Sequence, residues 1–593
     1  MADFAKITGM DKEKLQNLRH SLAHLLAAAV LEIWPHAKRT IGPAVENGFY
    51  YDFDFSTEKH QSGPKNEDLH LIEEKMREMI NGWDKFEKED ISVKDAKKMF
   101  SDNPYKLELI EEYGDQGLSI VKSGEFIDLC RGGHIESARD IKPNAFKLTH
   151  IAGAYWRGSE KNKMLTRIYG VAFETKKELD EYLWQQEEAK KRDHRKLGQE
   201  LDLFFFSDLV GPGLPLWTVK GTVIRDELEK FAKETEAKWG YQRVATPHIA
   251  KSQLFETSGH LPYYKDDMYP GMELDDATYY LKAMNCPMTM ALFSQKPHSY
   301  RELPLRLAEY GTVYRYERSG VLSGLLRVRG FTQNDAHIFC TEDQLENEFV
   351  QVMKLHEYYY RDVFGIKDYY VRLSLRDKSK KDKFGGNDEI WDKAESVIQS
   401  AIKKSGIPFQ EAIGEASFYG PKADFQIKSV IDREETASTN QIDFIMPARF
   451  GLKYTGANGK EHPIVVIHRA PLGSHERFIG FLIEHYAGAF PLWLSPVQVA
   501  VANITDEQLG YAGEIVEKLR AEGIRVEWYN QNETIGKKIR EAELQKVPYI
   551  AVIGEKETKA VSVAVRQRGE GDKGAMKLEK FIEKIKKEIK VKN

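Results

Sequence analysis

From Arg315 to Cys340 the sequence reads RYERSGVLSGLLRVRGFTQNDAHIFC, and this stretch constrains the fold more than any other. Arg315 and Glu317 open a segment rich in small residues (Ser319, Gly320, Ser323, Gly324), followed by Arg327 and Arg329 and then the alternating run Phe331 to Phe339. The alternation predicts a strand. The small residues ahead of it predict a loop whose backbone can come close to a ligand. Arginine forks beside such a loop grip phosphate oxygens through paired hydrogen bonds. Strand, basic loop, strand is a physical arrangement for holding a polyphosphate.

A chain of 593 residues accommodates about three to four domains. Its 41% hydrophobic and 30% charged residues are ordinary for a soluble globular protein. A net charge of −5 argues against a wholly basic nucleic-acid coat, while leaving room for a local basic face. Three cysteines, Cys130, Cys286 and Cys340, cannot build a disulfide framework at this size, which points to a reducing compartment. The start MADFAKITGMDKEK has no apolar signal core. No stretch approaches the roughly 18 apolar residues of a membrane span. A cytoplasmic protein without a membrane partner is expected.

Leu15, Leu18, Leu22, Leu25, Leu26, Ala29 and Ile33 recur at helical spacing, with Pro35 ending the helix. GFYYDFDF (48–55) alternates as a strand, and further helices are expected near 67–80 and after Ser92. Short strands and turns are expected over 105–175, then a helix over 176–196 whose charged end, KKRDHRK, reads as a linker. A boundary is placed near Leu197. From there to about Leu492, interleaved antiparallel strands fit better than a regular βαβ rhythm. Beyond Pro491, strand and helix alternate (VQVAVANI, a helix, IRVEWY, a helix, YIAVIG), which predicts a small α/β domain with a parallel sheet.

Two groups of metal-capable residues stand out. Cys286 (KAMNCPM), His337 (NDAHIF) and His468 (VVIHRAP) are 51 and 131 residues apart, which matches no metal-binding spacing, and on residues alone they read as structural. His20 and His24 lie one helical turn apart in RHSLAH, off the stripe of Leu18, Leu22 and Leu25, so they are expected to point away from the core. Asp128, Cys130 and His134 follow in DLCRGGH. Spacing alone allows a four-ligand zinc site from His20, His24, Cys130 and His134. The absence of Glu after His20 removes the HExxH peptidase reading.

The segment 315–340 resembles the second signature motif of class II aminoacyl-tRNA synthetases, and its TQNDAH ending is similar to that of threonyl-tRNA synthetases. The helix 221–239 with YQRVATPHI resembles motif one, Pro247 standing at the family's subunit interface, and APLGSHERFIGFLIEHY (470–486) resembles motif three. The resemblance implies an α+β multidomain chain: an N-terminal α/β editing domain with linker helix (1–196), a class II antiparallel-sheet catalytic core (197–492) and a C-terminal α/β anticodon-binding domain (493–593). It implies a homodimer that activates L-threonine with ATP and Mg²⁺ and transfers it to tRNA(Thr). Arg315 would grip the α-phosphate and the new carboxylate, and Glu317 would contact adenine. Arg327 would meet the γ-phosphate, Phe331 would stack on adenine, and Arg477 would flank the ring or the γ-phosphate.

The same resemblance reverses the structural reading of Cys286, His337 and His468, making them ligands of one zinc per chain. Asp335 would accept from the threonine hydroxyl, with Gln333, Tyr419 and Gln441 completing the pocket and Lys422 meeting carboxylate or phosphate. HxxxH with CxGxH is similar to the family's editing signature, which works without metal. It implies hydrolysis of seryl-tRNA by His20, His24, Asp128, Cys130 and His134, with Tyr51 and Lys106 beside them. In the last domain Asn532, Arg540, Lys546, Glu557 and Arg566 match positions that contact tRNA. Bacterial members usually begin with a ubiquitin-like domain, for which only about fifteen residues stand before the first helix here. The rival from another class is a non-catalytic, RNA-binding paralogue, which would be expected to have lost the adenylation residues.

Overall fold

The computed structural model describes residues 12–56, 63–380, 383–429 and 434–592. Packing divides it into two compact units, Met1–Glu187 and Glu188–Asn593. The division falls inside the helix Lys176–Arg192, ahead of the boundary expected near Leu197.

In the first unit, strands Lys38–Arg39, Gly48–Asp54, Met164–Ala172 and Phe146–Tyr155 form an antiparallel sheet in that order, with Ala44–Val45 paired to Gly48–Asp54. Helices Lys12–Ile33 and Leu69–Ile80 bury Leu22, Leu25, Leu26, Ile72 and Met76 in one core with Phe49, Phe53, Phe146 and Ile168 from the sheet. A second antiparallel sheet joins Glu87–Ile91, Leu118–Ser123 and Phe126–Leu129. The Ser92 side chain accepts from the Asp95 N–H and caps the helix Val93–Met99. The start of 105–175 is helical rather than strand and turn. Asn103 accepts from the amides of Tyr105 and Lys106, and Pro104 sits in the first turn, so the helix Pro104–Tyr113 has a complete start signal.

The second unit is built on an eight-stranded sheet. Its order is Gln242–Arg243, Leu305–Tyr314, Gly330–Cys340, Val465–Arg469, Glu434–Asp443, Lys422–Lys428, Tyr369–Leu375, Phe409–Ile413. Every interior pairing is antiparallel, and only the two edge pairings are parallel. Strand Gly330–Cys340 is central and long enough to place Phe331, Gln333, Asp335 and His337 on one face. Asn334 turns to the opposite face, where helix Val219–Lys238 presents Glu236. Glu236 and Arg469 are both fully buried, 2.7 Å apart, and Asn334 donates to the same carboxylate at 2.8 Å. Arg243 closes the carboxylate's other oxygen, and the Arg469 guanidinium lies 4.0 Å over the Tyr241 ring.

Two further expectations change. The helix over 176–196 breaks after Arg192: Asp193 caps a new helix, His194–Glu200, whose His194 and Leu197 are buried, so this segment is packed structure rather than a solvated linker. The C-terminal sheet is mixed. Val499–Asn503 pairs in parallel with Val526–Tyr529 and Tyr549–Ile553, but Ser562–Gln567 and Gly571–Lys577 add antiparallel strands. The turn Arg568–Gly569–Glu570, with Gly569 and Gly571 at φ +77° and +74°, is too short for the crossover a parallel pair needs.

Replacing Glu236 by Ala leaves Arg469 buried without a partner, an effect on the order of 3–5 kcal/mol. Urea unfolding of the full chain should show that loss for Glu236→Ala. Lys453→Ala, which breaks the exposed Lys453–Glu461 pair, should cost only about 0–1 kcal/mol. Equal effects of the two substitutions would remove the structural importance given to the buried pair.

Candidate functional site

A cavity of about 340 Å³ opens on the face of the eight-stranded sheet that carries Phe331, Gln333, Asp335 and His337. All thirteen residues expected in the adenylation and amino-acid site line it. Register explains how residues so far apart in sequence meet. His337 pairs with His468, His468 with Gln441, and Gln441 with Lys422, so four of them form one row across four strands. Cys286 arrives from the first turn of the helix Cys286–Phe293.

Cys286, His337 and His468 are all buried, and their ligand atoms lie within 4.8 Å of one another. His468 Nε2 is 3.0 Å from Asp443 Oδ2; a carboxylate only accepts, so Nε2 carries a proton and donates to it. His337 Nε2 is buried without a hydrogen-bond partner. Burial drives His337 well below the usual imidazole range, leaving it neutral, and drives the Cys286 thiol well above the ordinary thiol value. Two imidazoles, one of them with an orphaned Nε2, and one thiol suit a zinc ion, which would displace the thiol proton. Asp335 is raised by burial against the opposing hydrogen bond from Asn285 Nδ2, 3.0 Å away. Tyr419 donates to Gln441, and Gln441 Nε2 donates to Ser417 Oγ at 3.0 Å. Lys422 is ion-paired to buried Asp424 at 3.0 Å.

The arginines occupy the other end of the cavity. Arg315 lies 5.1 Å over the Phe331 ring and donates to the Ala283 carbonyl. Arg327 pairs with Glu317 at 2.9 Å. Arg477 follows the cap Ser474 on helix His475–His485, and its Nε donates to the Leu326 carbonyl at 3.0 Å. Burial and the nearby Arg315 lower the Arg477 pKa, as expected of cations gathered in one site.

The first unit holds a second cavity, of about 310 Å³, lined by His20, His24, Tyr51, Lys106, Asp128 and Cys130 among others. His134 completes the group: Cys130 Sγ lies 3.3 Å from His134 Nε2 and 3.7 Å from His20 Nε2. Lys106 Nζ is 2.7 Å from Asp128 Oδ1, Arg39 Nε is 3.2 Å from the same oxygen, and Tyr51 donates to Asp128. The expectation that both histidines face away from the core is corrected for His24. Every residue from Ser21 to Val30 is buried, so this stretch of helix has no solvent face. His24 points inward to the cavity, and its Nδ1 has no partner. Burial lowers His24 to about 3 and His134 to about 2, lowers His20, and raises Cys130 to about 11. Burial also pushes Asp128 up, but Lys106 and Arg39 outweigh it and its carboxyl settles at about 2. The cluster is neutral, beside one charged carboxylate. The donor atoms of His20, His24, Cys130 and His134 also lie within 4.8 Å of one another, so distance alone does not separate this group from the other.

Asn532, Arg540, Lys546, Glu557 and Arg566 are spread over a loop, two helices, a left-handed residue and a strand. Glu557 already accepts from the Gly554 N–H at 3.0 Å and caps its own helix, and Arg566 faces Glu543 at 3.8 Å.

Sequence reasoning missed Asn285, Asp443, His260 and Arg39. Asn285 adjoins Cys286, and Asp443 follows Gln441 by two, so both lay within motifs already in view. His260, 3.7 Å from Cys286 Sγ, carries no local signal, and neither does Arg39.

The family described as tRNA synthetase class II core domain (G, H, P, S and T) matches residues 270–486. The anticodon binding domain matches 498–588, and the threonyl and alanyl tRNA synthetase second additional domain matches 118–169. A threonine–tRNA ligase of Rubrobacter xylanophilus is 48% identical over 98% of this chain and 90% of its own length. One from Staphylococcus carnosus is 47% identical over 99% and 90%. The chain belongs to the threonine–tRNA ligase family. A solved threonyl-tRNA synthetase structure from Cryptosporidium parvum, described as the RNA binding domain, aligns with a TM-score of 0.64 at 36% identity, covering 67% of this chain and 98% of that one. The chain thus matches a class II core, an anticodon-binding domain and the additional domain; the first cavity falls in the core, and the second is lined in part by the additional domain. No helix among the described residues is long and apolar enough to cross a membrane.

The neutral histidines set a pH dependence. Their folded pKa values lie below the unfolded 6.5, so between pH 6.5 and about 3 the unfolded chain binds more protons and stability falls as pH falls. His24→Asn should flatten the slope of stability against pH over that window in urea titrations of the full chain. Identical slopes for wild type and variant would contradict the buried, neutral state of His24.

Proposed function

We propose that this chain is a threonine–tRNA ligase that forms threonyl-adenylate from threonine and ATP with Mg²⁺, transfers threonine to tRNA(Thr), and hydrolyses seryl-tRNA(Thr) in its first unit. The observation that carries the reading is the single cavity gathering Arg315, Arg327 and Arg477 at one end and Cys286, His337 and His468 at the other. A carboxylate attacking the α-phosphate of ATP needs fixed cations around the gathering negative charge. Arg315 and Arg477 are positioned to hold the α-phosphate and flank the nucleotide. Phe331 offers a face for adenine, Glu317 its edge contact, and Arg327 a partner for the γ-phosphate.

The amino-acid end is held by Cys286, His337 and His468 as ligands of one zinc. When bound, zinc supplies open coordination for the amino group and hydroxyl of the substrate. Asp335, steadied by Asn285, accepts from the hydroxyl, and Gln333, Tyr419 and Gln441 close the pocket around the side chain. Lys422 offers a cation to the carboxylate or phosphate. A site built for a hydroxyl rejects valine strongly, but it separates serine from threonine by one methyl, roughly 1–3 kcal/mol. Hydrolysis in the first unit answers that weakness. There Lys106, Asp128 and Tyr51 form a polar wall opposite the neutral His20, His24, Cys130 and His134, a setting that can hold and orient a water at an ester. Recognition of tRNA by Asn532, Arg540, Lys546, Glu557 and Arg566, a homodimer through the exposed segment around Pro247, and a cytoplasmic setting belong to the same reading. The domain limits 1–196, 197–492 and 493–593 are proposed with it. A non-catalytic RNA-binding paralogue finds no support, since the adenylation residues are all present in one cavity.

Arg315→Ala should reduce threonine-dependent ATP–pyrophosphate exchange by at least about a hundredfold, the scale of losing a transition-state cation, while thermal unfolding and zinc content stay unchanged. Exchange at the wild-type rate would remove Arg315 from the chemistry. His20→Ala and Cys130→Ala should leave threonine activation intact and accumulate seryl-tRNA when serine is supplied. Low seryl-tRNA in wild type and both variants alike would defeat the editing assignment.

A further inference from the structure

His194 lies outside all three signature motifs, in the charged stretch KKRDHRK, yet its side chain is only 3% exposed. Its two ring nitrogens reach two different parts of the adenylation machinery. Nε2 lies 3.0 Å from the Leu325 amide nitrogen, and Nδ1 lies 2.7 Å from Glu484 Oε1. A backbone amide only donates, so Nε2 holds a lone pair. Nδ1 therefore carries the proton and donates to Glu484, and one neutral tautomer satisfies both contacts.

Leu325 belongs to the loop between Arg315 and strand Gly330–Cys340, and Glu484 sits on the helix that carries Arg477. Arg477 Nε grips the next carbonyl of that loop, Leu326, at 3.0 Å. Two successive residues of the loop are thus held, Leu325 through its N–H by His194 and Leu326 through its C=O by Arg477. Arg192 fastens the same segment to the far end of the helix by donating to the carbonyls of Glu484 and His485 at 3.3 and 3.1 Å. Close approach is built in: Gly324 has φ +49°, and a Cβ there would stand 2.2 Å from His194 Nε2. Gly480 of the helix likewise faces His194 Cδ2. Asp193, His194 and Glu484 bring donor atoms within 4.8 Å, but both imidazole nitrogens are already used and the Asp193 carboxylate is paired with Arg195, so the group is a hydrogen-bonded clamp rather than a metal site.

We propose that His194 is a positioning residue for ATP: it fixes the Leu325 peptide so that the loop presents Arg327 and meets Arg477 in the geometry that binds the triphosphate. It touches no reacting atom and acts through the loop. The inference rests on the adenylation reading above, so wild-type threonine-dependent exchange is measured first, and its absence would defeat that reading and not the clamp.

Two amide variants separate the two contacts. His194→Asn keeps a donor where Nδ1 stands and has nothing where Nε2 stands, whereas His194→Gln places an amide oxygen near Nε2. The KM for ATP in exchange should rise about tenfold in His194→Asn and His194→Ala, the size of a lost buried hydrogen bond, and largely return in His194→Gln. The KM for threonine should stay within about twofold in all three, because His337 and its neighbours do not depend on the loop. If the Ala variant fails to fold, the Asn and Gln pair carries the test alone. Equal changes in both KM values, an unchanged KM for ATP, or failure of Gln to improve on Asn would overturn the proposal and leave His194 as packing only.

Discussion

The hydrogen-bond register of four antiparallel strands is the constraint on which the main site depends. His337, His468, Gln441 and Lys422 come from Gly330–Cys340, Val465–Arg469, Glu434–Asp443 and Lys422–Lys428, and they form one row because those strands pair as they do. Side chains alternate along a strand, so a slip of one residue in any pairing would turn that strand's contribution to the other face. The opposite face pins the register. Asn334 and Arg469, neighbours of Asp335 and His468 in the chain, both close on Glu236 of the helix Val219–Lys238. A buried carboxylate with three partners tolerates no slip, because moving either strand strands a charge in the core. The alignment of the cavity is thus enforced from behind.

The two cavities solve opposite electrostatic problems. The first collects cations: Arg315, Arg327 and Arg477 crowd one end, where the charge of a triphosphate would relieve their mutual repulsion. The second collects neutral groups, with three imidazoles held below their ordinary pKa and a thiol held above it, beside the Asp128 carboxylate and its partners Lys106 and Arg39. The first suits chemistry in which negative charge builds on phosphate. The second suits placing an uncharged nucleophile beside an ester without trapping it in an ion pair.

Local periodicity made much of this legible. The alternation from Phe331 to Phe339 places four site residues on one face without any knowledge of the rest of the sheet, and the Gly-Ser turn before Arg477 marks a capped helix. Pairings between distant segments were not legible. Nothing in the 130 residues between His337 and His468 says that their strands are neighbours, and only the family resemblance joined Cys286 to them. Charge misled once and the apolar stripe once. KKRDHRK looked solvated, but a long side chain such as Arg192 can cap a helix end while His194 beside it is buried. His24 is expected to point away from the core because it lies off the leucine stripe, yet Ser21–Val30 of its helix is buried on every side. The antiparallel strands at the C-terminus follow from a tight glycine turn, which the alternation of strand and helix ahead of it does not signal.

The central claim is that one cavity joins phosphate-binding arginines to a pocket that selects an amino acid by its hydroxyl. It is tested most directly by ATP–pyrophosphate exchange with the zinc-loaded full chain, offering threonine, serine and valine in turn. Threonine should drive exchange fastest and serine within roughly 10–200-fold of it, as one methyl permits, while valine, lacking the hydroxyl, should fall at least about 10⁴-fold behind threonine. Exchange with valine at the serine rate or above would contradict hydroxyl-based selection by Cys286, His337, His468 and Asp335.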